Sequence, residues 1–179
     1  MRDLTKLPHG LDRDAGVCNA VVETPKGHRS KYNFDPETGL FELHTLLPEG
    51  MTFPLDFGFV PSTLCDDGDP LDIMILSDEP ATVGALVRVR LVGVLEAEEK
   101  EKGQTERNDR LLAIPLVSYL YSGIRGPEDF EPSFVSHLAD FWVNKARLED
   151  KVFKVLNVGG PEAAIALLRR SAKTAKRAA

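Results

Sequence analysis

The order in which two kinds of hydrophobic pattern follow each other constrains the fold of this chain most. Short segments rich in β-branched residues come first, and most of them are bounded by Pro or Gly. We predict strands at residues 17–23, 31–34, 40–47, 71–76, 86–95, 111–117 and 152–158. Helical patterns follow, one capped by Ser133 and reaching about Glu149, and one that starts at Pro161. Many short strands followed by two helices favour an α+β fold, a small β-barrel with helices packed outside it.

Two segments between these strands carry no regular pattern. Residues 51–64 are aromatic and are interrupted by Pro54, Gly58 and Pro61, so we expect an irregular segment there. Residues 96–110 are highly charged, and we expect them to form a loop. With 179 residues and no linker, we expect one domain, 1–179.

Composition excludes several classes of protein. The net charge of −6 disfavours a non-specific nucleic-acid binder, which needs a cationic face. No apolar run approaches the roughly 20 residues that span a bilayer, so we expect no membrane partner. Cys18 and Cys65 are not in a CxxC pair, and the polar start does not resemble a signal peptide. We therefore expect a cytoplasmic protein.

The strongest chemical signal is a cluster of carboxylates, Asp67-Gly-Asp-Pro-Leu-Asp72. On a regular strand Asp67 and Asp69 share one face and Asp72 points to the other. Gly68 and Pro70 favour a bend, which lets the three carboxylates converge. Such a cluster persists when a hard cation offsets the repulsion. For the bare spacing alone, an acidic surface turn is an equal alternative.

The neighbouring residues favour the metal site over the surface turn. The cluster follows Phe53-Pro-Leu-Asp-Phe-Gly-Phe-Val-Pro61, and together these segments resemble the signature of the soluble inorganic pyrophosphatases. The resemblance covers roughly residues 17–172. It includes the segments Val21-Val-Glu23, Lys31-Tyr-Asn-Phe-Asp-Pro-Glu-Thr-Gly39, Val89 to Leu95, Arg110-Leu-Leu-Ala-Ile-Pro115, Val152-Phe-Lys-Val155 and the segment from Pro161.

This resemblance implies a fold and a reaction. The fold is a five-stranded OB-like β-barrel with two C-terminal helices outside it. The implied reaction is hydrolysis of inorganic pyrophosphate to two phosphates, by in-line attack of a water activated by several Mg²⁺ ions. The resemblance further implies a homo-oligomer, a hexamer for a bacterial-sized chain.

The resemblance also assigns roles to individual residues. Asp69 matches the carboxylate that accepts the proton of the attacking water. Asp67, Asp72 and Glu23 match residues at the metals, and Lys31 matches a lysine that holds phosphate.

The second metal-binding loop of the family is expected to hold two carboxylates five residues apart. Glu101 and Glu106 have this spacing and are our candidate metal ligands. The charged loop also offers Glu99, Asn108 and Asp109 as rivals. For any one of these residues, a solvated charged loop is an equal alternative.

Several positions depart from the family pattern. A glutamate is replaced by Asn33 and an aromatic hydroxyl by Phe57. The candidate phosphate-binding residues are altered as well: His44 stands for an arginine and Arg110 for a lysine. The family's Tyr-Lys pair on the first helix aligns with Lys145 and Ala146, so we expect Lys145 to be the remaining phosphate ligand there.

These departures keep alternatives to a pyrophosphatase open. One is a degenerate relative that binds metal and phosphate compounds with little turnover. Another is an enzyme that hydrolyses a different diphosphate, such as a nucleotide. An OB-like nucleic-acid binder is the least favoured, since basic and aromatic residues are not interleaved.

Overall fold

The computed structural model describes residues 3–178 and contains nine strands and two α-helices in that range. The strands are β1 (Val17–Thr24), β2 (Ser30–Asp35), β3 (Leu40–Leu46), β4 (Asp56–Val60), β5 (Leu71–Ile75), β6 (Leu86–Glu101), β7 (Gln104–Arg107), β8 (Arg110–Pro115) and β9 (Val152–Gly159). The helices are α1 (Pro132–Leu148) and α2 (Pro161–Ala178). Short 3₁₀ turns lie at Leu4–Lys6 and Pro127–Asp129.

Five strands close into a ring. They follow the order β1-β4-β5-β8-β6, and β6 pairs back onto β1 from Val17↔Arg90 to Val21↔Leu86. Neighbours in the ring are antiparallel except for β5 and β8, which are parallel. The predicted five-stranded barrel with two helices is therefore confirmed.

The remaining strands extend or flank this ring. The distal half of β6 leaves it and pairs with β7 on one side and β9 on the other. The predicted hairpin of β2 and β3 is present as a separate two-stranded sheet.

Alternating hydrophobic residues explain how the barrel buries its interior. On β6, Val89 and Leu91 are buried, while Arg88, on the opposite face, is exposed, as the sequence predicts. Helix α2 packs onto the core through Ala164, Leu168 and Ala172. Helix α1 packs onto a second apolar cluster through Leu138, Trp142 and Ala146, joined by Phe153 of β9.

The prediction of an irregular segment at 51–64 is wrong, because this segment contains β4, which is buried throughout. Gly58 and the flanking prolines hide the strand pattern in the sequence. The glycine is required by packing, since a Cβ at this position would overlap the carbonyl oxygen of Val21 on the paired strand. A residue that weakens a strand in isolation here permits close approach of two backbones.

The prediction of a loop at 96–110 is also wrong. Strand β6 continues to Glu101, and a two-residue turn at Lys102 and Gly103 leads into β7. Both turn residues have positive φ, +50° and +86°, as a tight hairpin requires. This exposed ribbon has too few apolar residues to show a strand period.

The start of helix α1 differs slightly from the prediction. The helix begins at Pro132, with Glu131 at the N-cap, so Ser133 lies inside its first turn and is not the cap. Within residues 3–178, no helix is long and apolar enough to cross a bilayer.

Candidate functional site

Most of the predicted site residues, but not Glu23 and His44, line one cavity where the two parallel strands of the barrel begin. The pairing Ile73↔Leu111 of β5 and β8 places Asp72 beside Arg110, one residue earlier on each strand. A cavity of about 490 Å³ opens there. Its lining includes nine predicted or rival site residues with charged side chains: Asp67, Asp69, Asp72, Glu99, Glu101, Glu106, Lys31, Arg110 and Lys145.

A tight turn places the three aspartates in the lining of one cavity. The N–H of Cys65 donates to the carbonyl of Asp69 at 2.8 Å, and the N–H of Asp69 donates to Oδ1 of Asp67 at 3.0 Å. Gly68 has φ +90°, a conformation that favours glycine. The predicted bend is therefore present, and Asp67, Asp69 and Asp72 all line the same cavity.

The carboxylate of Asp72 lies in a strongly charged environment. Burial raises its pKa to about 6, although the nearby Arg110 and Lys31 act to lower it. Asp67 and Asp69 add repulsion that raises it further. Burial likewise raises the pKa of Asp67. The cluster thus holds negative charge that its own cations do not fully offset.

Glu23 lies on the other side of this cluster. It is only 9% exposed, and its Oε1 accepts the N–H of Phe34 at 2.8 Å. Burial raises its pKa to about 7 despite that hydrogen bond, and repulsion from Asp72 and Asp69 adds to the rise. Glu23 lines a larger cavity, of about 690 Å³, which shares with the first cavity the residues Lys31, Phe57, Asp69 and Asp72.

Arg110 lies between two aromatic rings. It is 5% exposed, and its Cζ lies 4.0 Å from the ring centre of Trp142 and 4.5 Å from that of Phe153. Its Nε lies 3.6 Å from Oδ2 of Asp72, and within residues 3–178 this buried nitrogen makes no hydrogen bond. A buried donor without a partner is costly, so this guanidinium is suited to an anionic ligand.

Lys145 is the third cation of the site. It is 7% exposed, and its Nζ lies 2.7 Å from Oε1 of Glu149, one helical turn later. Burial lowers its pKa, the hydrogen bond to Glu149 opposes this, and Lys31 and Arg110 lower it further. The repulsion that Lys31 and Arg110 exert on Lys145 in this cavity favours a multiply charged anion there.

The charged ribbon contributes carboxylates that already have partners. Nζ of Lys151 lies 3.1 Å from Oε1 of Glu99 and 3.0 Å from Oε2 of Glu101. Oδ1 of Asp109 accepts the N–H of Ala97 at 2.9 Å, so it closes the ribbon and is engaged there. Glu106 lines the cavity from the exposed β7.

The positions that depart from the family pattern lie in different parts of the structure. His44 is exposed, lies outside both cavities, and is the extra residue of a β-bulge between the pairs Lys31↔Thr45 and Tyr32↔Leu43. Asn33 lines the larger cavity. Phe57 and Ala146 are buried in the apolar cluster under α1, the former with its ring centre 5.1 Å from that of Trp142.

The sequence did not reveal every residue that shapes the site. Trp142 packs in the apolar cluster under α1 and also stacks on Arg110, a contact that no local pattern indicates. Lys151 was not singled out, because nothing local indicates that it reaches Glu99 and Glu101, about 50 residues away. Only the pairing of β9 with β6 brings them together.

The donors of this site suit a hard divalent cation. They are carboxylate oxygens, and burial together with repulsion from neighbouring carboxylates raises the pKa of Glu23, Asp67 and Asp72, an effect that a bound cation would oppose. In the described range, no three acidic, His or Cys side chains are gathered closely enough to hold an ion by themselves.

Comparison with known proteins gives a consistent result. The family described as inorganic pyrophosphatase matches residues 20–176. The inorganic pyrophosphatase of Thermus thermophilus is 42% identical over 160 residues, covering 89% of each chain. That of Synechocystis is 31% identical over 174 residues, covering 97% of this chain and 99% of the relative.

Solved structures agree with the sequence relatives. The crystal structure of the Thermus thermophilus inorganic pyrophosphatase superposes with a TM-score of 0.89, at 30% identity, over 98% of this chain and 99% of that one. The inorganic pyrophosphatase of Helicobacter pylori gives a TM-score of 0.84, also at 30% identity, over 93% of this chain and 97% of that one.

Proposed function

Since this chain belongs to the inorganic pyrophosphatase family, we propose that it hydrolyses inorganic pyrophosphate to two phosphates in the cavity between Asp72 and Arg110. One observation carries the proposal. Three carboxylates, Asp67, Asp69 and Asp72, and three cations, Lys31, Arg110 and Lys145, line one cavity. A site with both charges suits a substrate that arrives as a polyanion together with metal ions.

Asp69 is the candidate general base. It is exposed at the turn before β5 and lines both cavities, so a water held between it and a phosphoryl group could pass its proton to this carboxylate. The hydrogen bond of its N–H to Asp67 fixes the backbone at this position.

Asp67, Asp72 and Glu23 would hold the metal ions, with Glu101 and Glu106 as candidates on the ribbon. The family is metal-dependent, and we propose Mg²⁺ as the ion, because the donors are oxygens and each ion would keep water and phosphate ligands. When bound, Mg²⁺ would lower the pKa of the attacking water and offset the negative charge of the phosphate oxygens.

Lys31, Arg110 and Lys145 would hold the phosphate oxygens. Arg110 is the best positioned of the three, since two rings contact its planar guanidinium and its Nε makes no hydrogen bond within residues 3–178. His44 lies outside both cavities in this single chain, so a role in phosphate binding would need it to move toward them. Stabilisation of developing negative charge by such groups commonly supplies most of the rate enhancement in phosphoryl transfer.

We further propose that the chain works in the cytoplasm as a hexamer. The two cysteines of the chain, Cys18 and Cys65, are unpaired, which suits a reducing compartment. Sedimentation equilibrium would test the assembly, and a monomer at working concentrations would contradict it.

Phosphate release from pyrophosphate with Mg²⁺ tests the function. We expect steady release by the wild-type chain and loss of release in Asp69→Asn. Asp66→Asn is the matched control, because Asp66 is a neighbour on the same turn that lines neither cavity. The proposal would be contradicted if folded, Mg²⁺-binding protein released no phosphate. An equal loss of phosphate release in both variants would also contradict it.

A further inference from the structure

A third, smaller cavity lies between α2 and the N-terminal arm. It measures about 220 Å³ and is formed by α2 and residues 9–13 of the N-terminal arm. We call it the basic groove, and it is lined by His9, Leu11, Arg13, Arg169, Ala172, Lys173 and Lys176. Leu11 and Ala172 pack against the core and form its floor. We propose that the basic groove binds a small phosphate-bearing anion.

The charge of the groove is opposite to that of the chain. The chain carries a net charge of −6, yet Arg13, Arg169, Lys173 and Lys176 line the groove, and none of the described lining residues is acidic. No ion pair found within residues 3–178 includes any of these four side chains. These four exposed side chains therefore line the groove without an acidic partner from the part of the protein that the structure describes, and a bound anion would supply the opposite charge.

The helix dipole accounts for only part of this charge. Lys176 and Arg177 lie in the last turn of α2, where cations stabilise the negative end of the dipole. This effect fades within one turn, but Arg169 and Lys173 lie earlier in the helix. The dipole thus gives no reason for Arg169, Lys173 and Arg13 to line the same groove.

The opposite wall of the groove is held rigidly. The carbonyl of His9 accepts the N–H of Asn19 at 2.8 Å, and that of Gly10 accepts Nη1 of Arg88 at 2.7 Å. Nδ1 of His9 accepts the N–H of Leu11 at 3.0 Å, so a neutral His9 carries its proton on Nε2. That N–H is a further donor for an anion, and it needs no charge on the ring.

The size of the groove indicates the class of ligand. Pockets for drug-sized molecules span roughly 300–1,000 Å³, so a groove of about 220 Å³ suits one or two phosphoryl groups. Larger parts of a ligand would extend into solvent. Inorganic pyrophosphate and a nucleoside diphosphate share this diphosphate chemistry.

Anion binding in the groove needs no metal ion, unlike binding in the site cavity between Asp72 and Arg110. Without metal ions, Asp67, Asp69 and Asp72 repel a phosphate anion, whereas the basic groove attracts it. In metal-free protein the aspartates thus oppose binding in the site cavity, and the position of the amide shifts distinguishes that cavity from the groove. Lys176 lines both the groove and the larger cavity beside Glu23, so an anion in the groove lies next to the entrance of the site.

The test is a titration of the full chain in EDTA with pyrophosphate and, separately, with ADP. Amide NMR shifts of residues 9–13 and 169–176 locate the binding, and calorimetry gives its affinity. We expect saturable shifts in both segments, and a loss of affinity of about tenfold or more in Arg169→Gln/Lys173→Gln. Tighter binding of ADP than of pyrophosphate would identify the nucleotide as the preferred ligand. Equal affinities would show that the groove recognises the diphosphate alone.

The control is Arg170→Gln/Arg177→Gln, which removes the same charge from the same helix at positions outside the groove. We expect it to bind nearly as the wild type does. Shifts that do not saturate, or an equal loss in the control, would overturn the proposal and leave only general attraction to a basic helix. Neither result depends on hydrolysis, so this test of the groove is independent of the test of the proposed function.

Discussion

The guanidinium of Arg110 stacks on the ring of Trp142, with 4.0 Å between its Cζ and the ring centre. The two residues come from β8 and α1, and neither position alone indicates the contact. The stacking holds a charged group in a buried place next to Asp72. It thereby gives the helix outside the barrel a direct role in the shape of the site.

We predict that Trp142→Leu lowers both stability and activity. The change removes a large buried ring and a desolvated cation–π contact worth about 2 kcal/mol. We expect a loss of about 3–5 kcal/mol in the free energy of unfolding. Trp142→Phe keeps a ring over Arg110, so chemical denaturation should show a smaller loss and assays should show more residual activity. Equal activity of both variants would argue against a positioning role for the ring.

Gly58 gives a second prediction, about the barrel itself. Gly58→Ala should prevent folding or cost several kcal/mol, because the new Cβ would meet the backbone of Val21 and neither paired strand can yield. Gly123→Ala is the control, since nothing lies within 4 Å of a Cβ there and its φ is not positive. Denaturant titration of both variants measures the difference, and a stable Gly58→Ala protein would contradict the packing argument.

The local features of the site follow from the sequence. The spacing of Asp67, Asp69 and Asp72, with Gly68 and Pro70 between them, predicts a bend and a shared acidic site. Both are local properties of the chain, and the structure contains the bend. The alternation at the start of β6 similarly predicts that Val89 and Leu91 are buried and Arg88 is exposed, whereas residues 91–95 are buried on both faces.

The features that sequence reasoning missed depend on pairing between distant segments. β4 is a strand because β1 and β5 flank it, although Gly58 weakens its pattern. In the ribbon at 96–107 only Ala97 is buried, so no continuous buried face imposes an apolar period. Lys151 reaches Glu99 and Glu101 only through the pairing of β9 with β6. None of these follows from local propensity, because each rests on tertiary contacts.

Lys151 yields a prediction about metal binding. Its Nζ bridges Glu99 and Glu101, and we expect Lys151→Gln to free two carboxylates beside the cavity. The variant should bind Mn²⁺ more tightly, or bind an additional ion, in calorimetric titration. Lys154→Gln is the control, because Lys154 pairs with Glu98 outside the cavity. Unchanged Mn²⁺ binding by Lys151→Gln would exclude Glu99 and Glu101 as latent ligands.

Lys145 yields a prediction about pH. Burial lowers its pKa below the ordinary 10.5, so its charge is lost at a lower pH than that of an exposed lysine. If Lys145 holds phosphate, the affinity for pyrophosphate is full below that pKa and falls as the pH rises through it. The KM should then rise on the alkaline side below pH 10.5. Lys145→Met should raise KM at neutral pH and remove this dependence.

The partner Glu149 supplies the control for that prediction. Its carboxylate lies 2.7 Å from Nζ of Lys145 and favours the charged lysine. Glu149→Gln should therefore lower the pKa of Lys145 further and move the rise in KM to lower pH, with little change at neutral pH. A Lys145→Met enzyme that kept the wild-type alkaline profile would show that another group titrates. In that case the lysine would serve only the packing of α1.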